Sequence, residues 1–68
     1  MTRRDLGKRI QKFREQKGLT IEKLAWECEI SKGGLSIIER GLRDVRFSTL
    51  NKIIKALGLS LKSFFDEH

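Results

Sequence analysis

A chain of 68 residues with one cysteine and a net charge of +6 is expected to form a single domain, 1–68, near the size at which one hydrophobic core barely suffices, and it has no disulfide framework to reinforce it. No more than three apolar residues follow one another, at Leu24-Ala25-Trp26, so a secretory signal, which needs an apolar run of about 7 to 15 residues, finds no place and a soluble, cytoplasmic chain is expected. The absence of proline and a charged fraction of 35% favour helices over sheet.

Apolar spacing divides the chain into five short helices. Leu6, Ile10 and Phe13 recur at i, i+4 and i+7, one stripe on a helix from about Thr2 to Lys17, and Gly18 is placed to stop it. Leu19 and Thr20 then read as an apolar residue followed by an N-cap, with Glu22 suiting the first turn of helix two. That helix carries Leu24, Ala25 and Cys28 inward. Ser31 caps helix three, which turns Leu35 and Ile38 to the core and ends at Gly41. After the basic loop LRDVR, helix four aligns Phe47, Leu50, Ile54 and Leu57 on one face, with Ile53 flanking them. Gly58 closes it, Leu59 supplies the apolar contact after the cap, and Ser60 starts a last amphipathic turn with Leu61, Phe64 and Phe65.

The charge is uneven. Residues 3–17 hold seven basic and two acidic groups, whereas residues 18–30 hold one and three. A basic surface suits a polyanion, but a merely solvated surface explains it too, and charge alone does not choose between nucleic acid, membrane and acidic protein. No single long amphipathic helix gathers the basic residues, which disfavours a membrane surface.

Only Glu29, Ile30 and the cap Ser31 separate helices two and three, and so short a turn makes the helices cross steeply and leaves the second protruding. Small or apolar residues at Leu24, Ala25, Cys28, Ile30, Leu35 and Ile38 complete the spacing of a helix-turn-helix over 21–40. The runs LGKRIQKFREQKGLT at 6–20, IERG at 38–41 and FSTLNKIIKALGLSLKSFF at 47–65, with the helix-turn-helix between them, resemble the Cro/repressor-type (Xre-type) family over nearly the whole chain. The resemblance implies an all-α, lambda-repressor-like domain of five helices, a regulator of transcription that binds double-stranded DNA without a cofactor, usually as a homodimer on a palindromic operator.

The resemblance also implies roles for particular residues. Helix three matches the recognition helix, so Ser31, Lys32, Gly33, Ser36 and Ile37 are expected at the major groove, where lysine suits guanine O6 or N7 and isoleucine a thymine methyl. Gly33 and Gly34 sit in the first turn of that helix and carry two readings: they let the backbone approach the groove closely, or they relieve crowding at the turn. Phosphates are expected at the amides near Ile21 and Phe47, which open helices two and four, and at Arg40, Arg43 and Arg46. Arg14 is expected to bond Glu39 as a structural pair. Leu61, Phe64 and Phe65 are expected at a dimer interface, the other reading being that all three are intramolecular.

The chain departs from the family pattern at three places. Ile21 stands where many relatives have glutamine, Glu29 where the turn commonly has glycine, and Val45-Arg46 where Pro-Ser is frequent; the last change removes a serine cap and adds a cation. Trp26 points off the core face of helix two, which leaves three readings: a partner contact, a cover for the edge of helix four, or a lone exposed aromatic. An antitoxin-like or adaptor module that binds another protein on the same scaffold is the competing class. One cysteine and one histidine, His68, make no metal site, and no catalytic constellation occurs.

Overall fold

The computed structural model describes residues 1–66, and among them are five helices and no strand: α1 (Arg3–Gln16), α2 (Ile21–Cys28), α3 (Lys32–Glu39), α4 (Phe47–Ala56) and α5 (Leu61–Phe65). His68, set aside above as a metal ligand, lies outside the described residues. Four helices start on a side-chain oxygen: Thr2, Thr20, Ser31 and Ser60 have extended backbones and accept from the amides of Asp5, Lys23, Gly34 and Ser63, each satisfying a donor that the helix itself leaves open. At α1 the bond is returned, because the Thr2 amide donates to the Asp5 carboxylate at 3.3 Å. This capping box holds the Asp5 carboxyl below its usual range. The expected stops Gly18, Gly41 and Gly58 all take left-handed φ, between +70° and +75°.

Helix α2 ends the same way without a glycine. Glu29 adopts φ 61°, ψ 37°, so that its own amide reaches Trp26 and the Ile30 amide reaches Ala25, at 3.2 and 3.1 Å. A side chain in this region is disfavoured by contact between Cβ and the following carbonyl. Glu29→Gly should therefore stabilise the fold by about 1 kcal/mol, a rise of roughly 4–8 °C in Tm, since the Lys52–Glu29 contact that it removes is long, at 3.6 Å, and exposed. A midpoint that stays level or falls on thermal unfolding contradicts this account.

Ile10, Leu24, Cys28, Leu35, Ile53, Leu57 and Phe64 are fully buried and form the centre of the core. Two expectations change here. Phe47 is 65% exposed and does not join the inward face of α4, whereas Ile53, expected at the flank, is fully buried. The stripe that packs is Leu50, Ile53, Ile54 and Leu57; Leu50 already lies at the rim, and Phe47, one turn earlier on the first residue of the helix, projects past it. Phe64 is the second change. It is completely enclosed, its ring 5.6 Å from Phe13 and its carbonyl taking a hydrogen bond from Arg9, so it has no surface to offer a second copy.

Helix α1 holds α3 at three points. Arg14 donates through Nε to Glu39 Oε2 at 2.8 Å and through Nη2 to Oε1 at 3.2 Å, and its Nη1 donates to the Leu19 carbonyl at 2.8 Å. Both side chains of the pair are nearly out of solvent. Higher on the same seam a methyl group at Gly7 would lie 2.5 Å from the Glu39 carbonyl oxygen and closer still to that of Ile38. At the far end, Gly41 brings its backbone against Arg4, where an added Cβ would sit 2.6 Å from the Arg4 Cα.

Candidate nucleic-acid interface

The left-handed Glu29 and the capping Ser31 turn the chain between α2 and α3 within three residues. Leu35, Ile38 and Glu39 face inward, which leaves the opposite edge of α3 outward. Along that edge Ser31, Lys32, Gly33 and Arg40 are exposed, and Ser36 and Ile37 half-buried. Gly33 answers one of the two glycine readings: an added Cβ there would meet nothing within 4 Å, so crowding within the chain does not require it. At Gly34 a Cβ would come 3.0 Å from the hydroxyl of the capping Ser31, so that residue does relieve the turn.

Arg43 and Arg46 are brought together with Ser31, Gly34 and Thr49 around an open cleft of about 420 Å³, between the turn and the start of α4. No side chain caps α4 at Arg46, which lines this cleft beside Asp44, and a helix start left uncapped can seat an anion. Arg40 is not part of this group; its Nε turns back to the Ser36 carbonyl at 3.4 Å. Ile21 opens α2 with its side chain half-buried against the core. Phe47 likewise opens α4, with its ring in solvent.

Lys32 has a partner that the sequence did not suggest. Its Nζ lies 3.0 Å from Glu22 Oε2, linking the first turns of α2 and α3, with both side chains 61% exposed. The Lys32 hydrogen bond holds the Glu22 carboxyl below its usual range. No periodicity rule pairs residues ten apart across a turn, so only the crossing of the two helices could have disclosed it. Trp26 is 78% exposed and covers no edge of α4. Cys28 is enclosed, and burial, with a smaller contribution from Glu27, pushes its thiol up to about 11, which keeps it unreactive. Among the described residues no group of three or more His, Cys, Asp or Glu could hold a metal ion, and no helix is long and apolar enough to cross a membrane.

A helix protruding from a three-residue turn, flanked by arginines, is the geometry of a DNA-reading module, and the model of the helix-turn-helix domain matches residues 5–62. The chain belongs to the Cro/repressor-type helix-turn-helix family. Family members similar to it include the control protein C.BamHI of Bacillus amyloliquefaciens, 39% identical over 61 residues that cover 88% of this chain and 75% of that one. The transcriptional regulator PuuR of Escherichia coli is 38% identical over 61 residues, but these are 90% of this chain and only 33% of PuuR. Among solved structures, the clp gene regulator ClgR from Corynebacterium glutamicum superposes with a TM-score of 0.90 at 36% identity, over 94% of this chain and 68% of that one. These Cro/repressor-type relatives are named as regulators or control proteins, none as an enzyme.

Proposed function

We propose that this helix-turn-helix chain is a sequence-specific regulator of transcription that lays α3 in the major groove of double-stranded DNA. Lys32, Ser36 and Ile37 meet base edges, with Ser31 and Gly33 at the closest approach, while Arg40, Arg43, Arg46 and the amides of Ile21 and Phe47 hold phosphates. The observation that carries the reading is the outward edge of α3: Ser31, Lys32 and Gly33 are exposed at its start, and Gly33 has no steric cause within the chain. Two copies on a palindromic operator would double the contacts, and Leu61 and Phe65, 40% and 43% exposed on α5, offer the apolar surface for that homodimer. Sedimentation at micromolar protein should then give a dimer, and a monomer there removes that part of the proposal.

Selection of bound sites from random duplexes tests the reading directly. Binding should weaken with salt at about 0.9 logarithmic units per phosphate neutralised, so the three arginines alone imply a slope near −3. Lys32→Ala should erode discrimination at one base pair by about 1–3 kcal/mol while changing the salt slope little. Binding that ignores both salt and sequence would instead favour a protein-interaction adaptor or antitoxin-like module, the second reading, for which the exposed Trp26 is the supporting feature.

A further inference from the structure

We propose that Glu22 and Lys32 act together as one base-pair reader, in which Lys32 donates to guanine O6 while Glu22 accepts from N4 of the cytosine paired with it. The inference rests on the groove-reading role of α3 given above and assigns Glu22, an acid, to an interface otherwise described by cations. Three features point to it. The pair spans the leading turns of α2 and α3 and is exposed at both ends, so it contributes little to stability. Lys23 and Lys52 take other partners, Glu27 and Glu29, so Lys32 is the lysine that Glu22 contacts. Gly33, next along the edge, adds no side chain to obstruct them.

The decisive match is geometric. In a Watson–Crick pair the exocyclic groups at the centre of the major-groove edge are hydrogen-bonded to one another, about 3 Å apart. Lys32 Nζ and Glu22 Oε2, 3.0 Å apart, present a donor and an acceptor at the same spacing. For G·C the edge reads acceptor N7, acceptor O6, donor N4, which fits lysine on the purine side and glutamate on the pyrimidine side. T·A in the same orientation keeps the central order, O4 then N6, but loses the N7 beside lysine and sets adenine N7 against the carboxylate. A·T and C·G reverse the central order, so ammonium faces amino group and carboxylate faces carbonyl oxygen. The expected ranking at this pair is therefore G·C, then T·A, then A·T and C·G together.

The test takes a duplex selected by the wild-type chain and replaces each base pair in turn, measuring binding of wild type, Lys32→Ala and Glu22→Gln in dilute salt, where phosphate contacts still hold the variants. The base pair read by Lys32 is the one at which Lys32→Ala loses discrimination. There the wild type should prefer G·C over A·T and C·G by about tenfold or more. Glu22→Gln, whose amide both donates and accepts, should bind the reversed pairs several-fold better relative to G·C with only a small fall in Tm. An unaltered ranking in Glu22→Gln, or a Lys32 position that does not favour G·C, overturns the composite reader and leaves the regulator reading standing. Failure of the wild type to select any duplex removes both.

Discussion

Arg14→Ala should lower the unfolding free energy by about 4–5 kcal/mol and Glu39→Ala by about 3 kcal/mol, the two ends of the range for breaking a buried pair on one side. The order follows from what each change leaves behind. Without Arg14, the carboxylate of Glu39, whose side chain keeps 5% of its exposure, loses the donor of both its hydrogen bonds. Without Glu39, the guanidinium retains the Leu19 carbonyl at 2.8 Å and a distant Glu15 at 4.0 Å. A chain of 68 residues has a total stability of only about 3–10 kcal/mol, so Arg14→Ala removes a large share of it. The double variant Arg14→Met, Glu39→Leu separates the pair from mere loss of packing, because replacing both charges by apolar groups should recover most of the deficit. Urea titrations of the wild type, both alanine variants and the double variant Arg14→Ala, Glu39→Ala close the cycle that gives the coupling. Single effects below about 1 kcal/mol would place the pair with ordinary surface bridges.

The helices were legible because each carries its own punctuation. Thr20, Ser31 and Ser60 before apolar runs, and Gly18, Gly41 and Gly58 after them, mark boundaries through local hydrogen bonding that no distant contact alters. The capping box at Thr2 and Asp5 is equally local but less legible, since aspartate stands where glutamate is usual. Phe47 and Phe64 are illegible for a different reason: period gives the face of a helix but neither where along it the core ends nor that Phe64 lies against Phe13 within the core. Within the candidate site, the outward positions of α3 came from its register, whereas the Lys32–Glu22 contact came from a crossing of two helices that spacing does not specify. Glu29 shows the limit of reading residues by preference. The left-handed turn is kept despite the glutamate, with the amides of Glu29 and Ile30 closing the end of α2.

Gly7→Ala should destabilise the fold by about 3 kcal/mol, although alanine in a helix interior normally gains up to about 1 kcal/mol over glycine. The reason lies on the other side of the seam. An added methyl would meet the backbone carbonyls of Ile38 and Glu39, the second at 2.5 Å with its carbon at 2.8 Å, and backbone held within a hydrogen-bonded helix cannot rotate away as a flexible side chain does. Either α1 or α3 must shift. Movement of α3 pulls Glu39 from Arg14 and tilts the outward edge, so duplex binding should fall in the same variant even at temperatures where it remains folded. Gly33→Ala is the matched control: the same change in a helix, with nothing within 4 Å of the new carbon, should raise Tm by a few degrees through propensity alone. A Gly7→Ala chain as stable as the wild type would mean that the two helices are free to separate there, and α1 could then no longer be the element that fixes the angle of α3.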